Sequence, residues 1–302
     1  MLAIVCPGQG AQSPGMLLPW LDVPASRASL ELSSEASGLD LIALGTTADA
    51  DTIRDTAVAQ PLLVAFALAS YAALEGVSPG VVAGHSVGEF SAAAVAGVLS
   101  PADAVSLVRT RGVAMAAAAA TESTSMAAIL GGDESEIAEK LLALDLTPAN
   151  MNGGGQVVAA GSAGAIAALV ADPPSRARVI ELQVAGAFHT RYMAPALPVL
   201  AEAAALVARH DPTVALLTNA DGSEVSTGDD AVAGMVAQVA RPVRWDMCMD
   251  TLITLGVTGM IELAPGGVLT GLAKRSMKGV PAVALKTPDD LAAALELARS
   301  VA

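Results

Sequence analysis

The residues best placed to do chemistry are Gly84-His85-Ser86-Val87-Gly88, a GxSxG pattern between the apolar stretch Val81 to Ala83 and an Ala-rich helical stretch from about Gly88 to Val98. A serine on a sharp strand-to-helix turn needs glycines beside it for steric room, and such a turn lifts the hydroxyl clear of the sheet. The start of the helix also offers free N–H groups to a developing oxyanion. A Gly-rich turn with a capping serine would read the same way, but the strand before and the helix after favour a nucleophile. A serine nucleophile needs a base, and the chain has three histidines. His85 lies inside the turn with its side chain directed away from Ser86 Oγ. His210, in Ala208-Arg209-His210-Asp211-Pro212, sits at a polar helix exit and suits a solvated or dipole-facing role. His189, in Gly186-Ala187-Phe188-His189-Thr190, ends a predicted strand and is by elimination the leading general base; a satisfied core histidine is its alternative.

A second loop, Pro7-Gly8-Gln9-Gly10-Ala11-Gln12, follows the first predicted strand. Ligand sites in open α/β sheets gather at that edge. Its alternating glycines allow close backbone approach, so the amide of Gln9 can join that of Val87 in an oxyanion hole. As an isolated motif it is also compatible with a plain turn. It is not a phosphate-binding loop, because no Lys-Ser or Lys-Thr follows.

The elements that must position these residues are short apolar runs alternating with Ala-rich helical stretches, the pattern of an α/β protein with a mainly parallel sheet. Leu2 to Cys6 reads as a strand ended by Pro7-Gly8. The longest apolar run, Leu62 to Leu74, reads as a buried helix opened by Gln60-Pro61. Pro101 starts a helix, where its missing N–H does no harm, and that helix carries Arg109 and Arg111. From Ser123 to Gly186 the rhythm changes: strand 126–130, helix 133–144, strands 147–152 and 156–160, helix 163–171 and strand 178–184. The order βαββαβ is a ferredoxin-like unit, read here as a subdomain of residues 123–186 inserted into a core of residues 1–122 and 187–302.

Composition sets outer bounds. The 302 residues carry a net charge of −14, are 53% hydrophobic and 2% aromatic, and have a mean hydropathy of +0.57. Disorder is excluded, because it requires low hydrophobicity alongside charge. Nucleic-acid binding is disfavoured, since phosphates call for clustered Lys and Arg and stacking calls for aromatics. The longest apolar run is shorter than the roughly 20 helical residues that span a bilayer, so no membrane partner is expected. The N-terminus lacks a basic region and a full apolar segment for a signal peptide. Cys6 and Cys248 form no metal or CxxC pattern, and both read as small buried hydrophobes. A cytoplasmic protein without bound metal is expected.

Taken together and in order, PGQGAQ, AGHSVGE, VRTRG, NGGGQVVAAG, AFH and PGGVLTGLAKR resemble the malonyl-CoA:acyl carrier protein transacylases and the related acyltransferase domains of polyketide synthases. The resemblance spans essentially the whole chain. It implies an α/β-hydrolase-like core with a ferredoxin-like insertion, an acyl-accepting Ser86 and His189 as its base. It also implies oxyanion-hole amides at Gln9 and Val87, and Arg111 as the ligand of the malonyl carboxylate. Gln238 matches the glutamine whose carbonyl orients the histidine, though Arg241 stands where many relatives carry Asn. Asn152 and Gln60 match residues that line or support the cleft. Phe188 matches the malonyl-selective form, in which a bulky ring crowds an α-methyl branch. The substrates implied are malonyl-CoA and acyl carrier protein, in fatty-acid or polyketide synthesis, with no cofactor; a monomer is the default. The physical argument for Arg111 stands beside this: a planar guanidinium grips a carboxylate through two parallel hydrogen bonds.

Two other classes remain open. A serine thioesterase or other hydrolase on the same elbow would need an acid between serine and histidine, for which Asp133 and Asp145 are available. A non-catalytic acyl-thioester binder would keep the fold without needing Ser86, His189 and Arg111 together. Charge also bears on partners. Residues 1–240 carry 9 basic and 24 acidic side chains, whereas 241–302 carry 7 and 6. An acidic carrier protein is therefore expected to dock near Lys274, Arg275 and Lys278, with Arg244 and Lys286 nearby.

Overall fold

The computed structural model describes residues 1–301 and contains two five-stranded sheets. The strands are β1 (Leu2–Cys6), β2 (Val81–Gly84), β3 (Thr124–Gly131), β4 (Thr147–Gly153), β5 (Gln156–Ser162), β6 (Ala177–Glu181), β7 (Ala215–Leu217), β8 (Val243–Arg244), β9 (Gly259–Glu262) and β10 (Ala282–Ala284). The first sheet runs β10-β9-β1-β2-β7, and every pairing in it is parallel. This is the α/β fold with a mainly parallel sheet that the alternation of apolar runs predicts.

A parallel sheet covered by helices on both faces reads as continuous apolar sequence, and β1 shows why. Leu2, Ile4 and Cys6 pack into the larger core on one face, while Ala3 and Val5 pack into a second cluster with Trp245, Leu252 and Leu272 on the other. The second sheet runs β6-β3-β5-β4-β8 and is antiparallel except for the β4–β8 pair. Ala127, Ile129 and Ala159 face the helices Glu134–Ala143 and Ala163–Ala171 and form a separate small core. Met126, Val158 and Ala160, on the opposite face, join the large core. The second sheet thus has its own helices on one face and the large core on the other. β8, which follows Gln238, completes its edge, so the second sheet draws a strand from beyond residues 123–186.

Most elements agree with those expected, but the strand expected over 178–184 ends at Glu181, so His189 lies in a turn and not at a strand end, and the long buried helix begins earlier. It spans Thr56–Ala72, capped by the Asp55 carboxylate on the Ala57 amide, and Pro61 lies inside it. An interior proline deprives the carbonyl four residues earlier of its partner. Here that carbonyl belongs to Ala57, and Arg109 Nη1 donates to it at 2.6 Å. The proline therefore does not open the helix, because a neighbouring helix satisfies what it leaves unpaired. None of the described helices is long and apolar enough to cross a membrane.

At the carboxyl edge of the first sheet, the buried Glu262 at the end of β9 accepts three backbone N–H bonds, from Gly267, Leu269 and Thr270 at 2.8–2.9 Å. These are orphan donors at the start of the helix Val268–Ser276. The carboxylate thereby pins that helix against the sheet edge where the cleft lies.

Candidate active site

Ser86 sits at φ +53°, between β2 and the elbow helix Gly88–Val95. The glycines around it are dictated by contact. A Cβ on Gly84 would fall 2.1 Å from the Gly88 carbonyl carbon, and one on Gly88 would fall 2.3 Å from the Cys6 oxygen. Only a chain bare at both positions can fold this tightly against β1. The non-glycine positive φ at Ser86 is a strained conformation, and side chains hold it. Its N–H donates to Asn219 Oδ1 at 2.7 Å, and Asn219 Nδ2 donates to Gly84 O at 2.7 Å. Asn219, fully buried just past β7, thus bridges both sides of the elbow.

His189 Nε2 lies 2.7 Å from Ser86 Oγ, and its Nδ1 lies 2.9 Å from the backbone oxygen of Gln238. A carbonyl can only accept, so Nδ1 carries the proton and Nε2 is left to accept from the serine hydroxyl. His189 is also at positive φ, +61°. Burial, followed by the nearby charge of Arg111, pushes its pKa down to about 3, so the ring is neutral at pH 7. Arg241, the departure from the family pattern, has an exposed side chain, and its backbone N–H also donates to Gln238 O at 3.1 Å. Because the contact is made by backbone atoms, the identity of residue 241 leaves it intact.

Arg111, 1% exposed on the helix Pro101–Ala119, reaches the same serine. Its Nη1 donates to Gln60 Oε1 at 2.7 Å, and its Nη2 lies 2.9 Å from Gln238 Oε1 and 3.3 Å from Ser86 Oγ. Its Nε is buried with no acceptor among the described residues. Burial lowers its pKa to about 10, with the charge of Glu89 opposing, so it stays cationic at neutral pH. The guanidinium also lies 5.8 Å from the centre of the Phe90 ring.

These groups open onto one cavity of about 230 Å³, which Gln9, Val87, Phe188 and Asn152 also line. The Gln9 and Val87 amides have no acceptor among the described residues. Asn152 Oδ1 is 2.8 Å from His85 Nε2, which ties that histidine away from the serine. Val268, Leu269 and Leu272 bring the pinned helix into the wall. Lys274 and Arg275 lie exposed in its last turn and Lys278 just beyond, with Arg275 Nη2 3.2 Å from Gln156 at the cavity rim. Arg244 does not stand free, because it pairs with Asp246 at 2.8 Å.

The two acids available to a hydrolase triad are elsewhere. Asp133 caps the helix Glu134–Ala143, and Asp145 pairs with Arg191 at 2.6 Å on the surface. Arg109, on the same helix as Arg111, is half-buried and donates to the Ala57 carbonyl. His210 is exposed, and both cysteines are buried with their thiol pKa values raised by that burial. Two further site residues, Asn219 and Glu89, carry no recognisable signal of their own. Glu89 lay within AGHSVGE and could be read only as an acid in a first helical turn. Burial raises its pKa to about 7, against the pull of the Asn219 amide and Arg111.

A strained serine, a neutral histidine aimed at it and a buried arginine on the same oxygen thus meet at the inner end of one cleft. The chain belongs to the acyl transferase domain family, which it matches over residues 3–291. It is 52% identical over 296 residues to the malonyl CoA-acyl carrier protein transacylase of Mycobacterium tuberculosis, covering 96% of this chain and 98% of that protein. The crystal structure of MCAT from the same organism superposes with a TM-score of 0.94 at 50% identity, covering 98% of this chain and 99% of that one. A malonyl-transacylase in complex with its type II polyketide synthase acyl carrier protein superposes with a TM-score of 0.91 at 31% identity, with 98% and 99% covered.

Proposed function

We infer that this acyltransferase moves the malonyl group of malonyl-CoA to the phosphopantetheine thiol of an acyl carrier protein, through a malonyl ester on Ser86. The observation that carries the reading is the meeting of His189 Nε2 at 2.7 Å and Arg111 Nη2 at 3.3 Å on one serine oxygen. In the first half-reaction His189 takes the Ser86 proton as Oγ attacks the thioester carbonyl. The oxyanion is received by the Gln9 and Val87 amides, and coenzyme A departs as its thiol with the proton from His189. In the second, His189 deprotonates the carrier thiol, which attacks the ester, and Ser86 recovers its proton. The backbone oxygen of Gln238 holds the imidazole in the tautomer both halves need. No cofactor enters either half, because coenzyme A is itself part of the substrate.

Arg111 supplies selectivity. Nε and Nη2 share one edge of the guanidinium, the edge a carboxylate can take side-on through two hydrogen bonds. An acetyl group would leave that buried cation without its anion. Phe188, 7% exposed beside the histidine, narrows the space for an α-methyl branch, and Gln60 and Asn152 support the walls. Lys274, Arg275 and Lys278 are the docking residues proposed for an acidic carrier. A hydrolase is less well supported, since His189 Nδ1 meets a carbonyl and not a carboxylate.

The proposed architecture is an α/β-hydrolase-like core, residues 1–122 and 187–302, with a ferredoxin-like insertion, 123–186. The spatial order β6-β3-β5-β4 with antiparallel pairs supports the second part. A cytoplasmic, monomeric enzyme is proposed, consistent with two buried, unpaired thiols. Mass measurement after mixing with malonyl-CoA tests the function: a malonyl adduct on Ser86 should persist until holo carrier protein is added. Loss of the adduct to water at a rate indifferent to carrier would make the chain a hydrolase.

A further inference from the structure

Glu89 is a buried carboxylate that the reaction steps above do not use, although it lies three residues from the nucleophile. It is 5% exposed, in the first turn of the elbow helix. Its Oε1 accepts the Asn219 backbone N–H at 2.6 Å, and its Oε2 accepts from Gln238 Nε2. The same Gln238 nitrogen lies 3.1 Å from Ser86 O and 3.2 Å from Asn219 Oδ1. Three acceptors therefore surround the NH₂ end of this amide, while its Oε1 faces the Arg111 Nη2 donor at 2.9 Å. Turning the amide over would set its oxygen against three acceptors and its NH₂ against a guanidinium.

We propose that Glu89 is a positioning residue: its carboxylate fixes the amide orientation of Gln238, and Gln238 in turn holds Arg111 where a substrate carboxylate meets it beside Ser86. This rests on the malonyl-transfer reading. The backbone oxygen of the same Gln238 orients His189, so one buried acid governs the selectivity arm through a side chain while the base is held separately by main chain. The acid itself is built into the fold at a point where the elbow helix, the β7 exit and the end of the helix Gly228–Gln238 converge. Glu89 touches no substrate. Its charge also favours the Arg111 cation through space, but its hydrogen-bonding influence on Arg111 passes through the amide, and this distinguishes it from a packing residue.

Glu89→Gln is the discriminating substitution, because it keeps shape and hydrogen-bonding capacity but replaces one acceptor with a donor. With Gln at 89 bonded to the Asn219 amide, its NH₂ faces Gln238. Gln238 then offers oxygen to residue 89 and NH₂ to Arg111. The expected result is a fall in kcat/KM for malonyl-CoA of about thirtyfold, carried mainly by KM, as a misplaced buried donor implies. Acylation by acetyl-CoA, which lacks the carboxylate, should change by less than about threefold, so the malonyl-to-acetyl ratio drops roughly tenfold. Gln238→Met removes the amide, keeps the main-chain oxygen for His189, and should lower the same ratio. Adding Glu89→Gln to it should then do nothing further. A ratio kept within about twofold in Glu89→Gln, or effects of the two substitutions that multiply, would overturn the proposal. Should Glu89→Gln fail to fold, an unchanged ratio in Gln238→Met overturns it equally, and a lowered ratio supports it. Absence of a malonyl adduct on Ser86 in the unsubstituted enzyme would instead sink the functional reading itself.

Discussion

At the inner end of the cleft Arg111, Glu89 and His189 are all buried, and burial is the largest cause displacing each from its ordinary pKa. At the rim, Arg275 and Lys274 stand in solvent on the last turn of a helix, and Arg54 is half-exposed and paired with Asp51. The inner charges are fixed by hydrogen bonds from several elements, so removing one leaves others stranded in a low-dielectric site. The rim charges are screened by water and salt and are individually worth little. Substitutions inside should therefore produce large effects tied to the acyl group. Substitutions at the rim should produce small, salt-dependent effects tied to the partner.

The largest effect is expected from Ser86→Ala. With no nucleophile the two half-reactions cannot occur, and kcat should fall by at least about a thousandfold. No malonyl adduct should appear in the mass spectrum. Persistent carrier malonylation in this variant would mean that the inner end is not where chemistry happens. Next comes Arg111→Ala. It should cost about a hundredfold or more in kcat/KM for malonyl-CoA, because a buried carboxylate would lose a bidentate partner. Relative activity on acetyl-CoA should rise. Arg111→Lys should recover little of the loss, since an ammonium lacks the planar edge. A malonyl preference untouched by either change would break the contrast from the inside.

How legible these two regions were in the sequence follows from the same contrast. Ser86 and its flanking glycines were visible because a turn this tight against Cys6 permits almost no other residues. His189 was reachable because histidines are few. The parallel sheet was plain from runs such as Leu2 to Cys6, apolar at every position because both faces are covered. Asn219 and Glu89 were not legible: their work lies in side-chain contacts across 130 residues of sequence, and no local spacing announces it. The start of the helix at Thr56 escapes local rules for a related reason. Local rules put Pro61 at a helix start, but a distant side chain, Arg109, satisfies the carbonyl that the proline leaves free.

Protonation offers a third test, with opposite signs for two inner groups. His189 has a folded pKa of about 3, below its ordinary 6.5. The unfolded chain binds more protons over that window, so stability attributable to His189 is lost as pH falls from about 6.5 toward 3. Glu89 is raised from 4.5 to about 7. The folded chain binds more protons there, and its contribution falls as pH rises through 4.5 to 7. Melting temperatures of His189→Asn should accordingly drop less than those of the unsubstituted protein between pH 6.5 and pH 5. Those of Glu89→Gln should drop less between pH 5 and pH 7. Parallel pH curves for all three proteins would mean that neither group is displaced as its burial demands.

The smallest effect, and the one that tests the rim, is expected from reversing Lys274 and Arg275 to Glu. Both side chains are exposed and sit on a helix whose start is pinned by Glu262 and whose apolar residues Leu269 and Leu272 line the cavity. A carrier drawn to them would be held at the mouth with its thiol-bearing arm facing inward. Reversal should weaken carrier binding about three- to tenfold at low salt, mostly through the association rate, and the difference should shrink as salt is added. Formation of the malonyl adduct from malonyl-CoA should be unaffected where carrier is absent, because the inner network does not sense residues screened by water. If adduct formation fell in step with carrier binding, the two ends of the cleft would be coupled, and the division between a buried selectivity arm and a solvated docking rim would have to be abandoned.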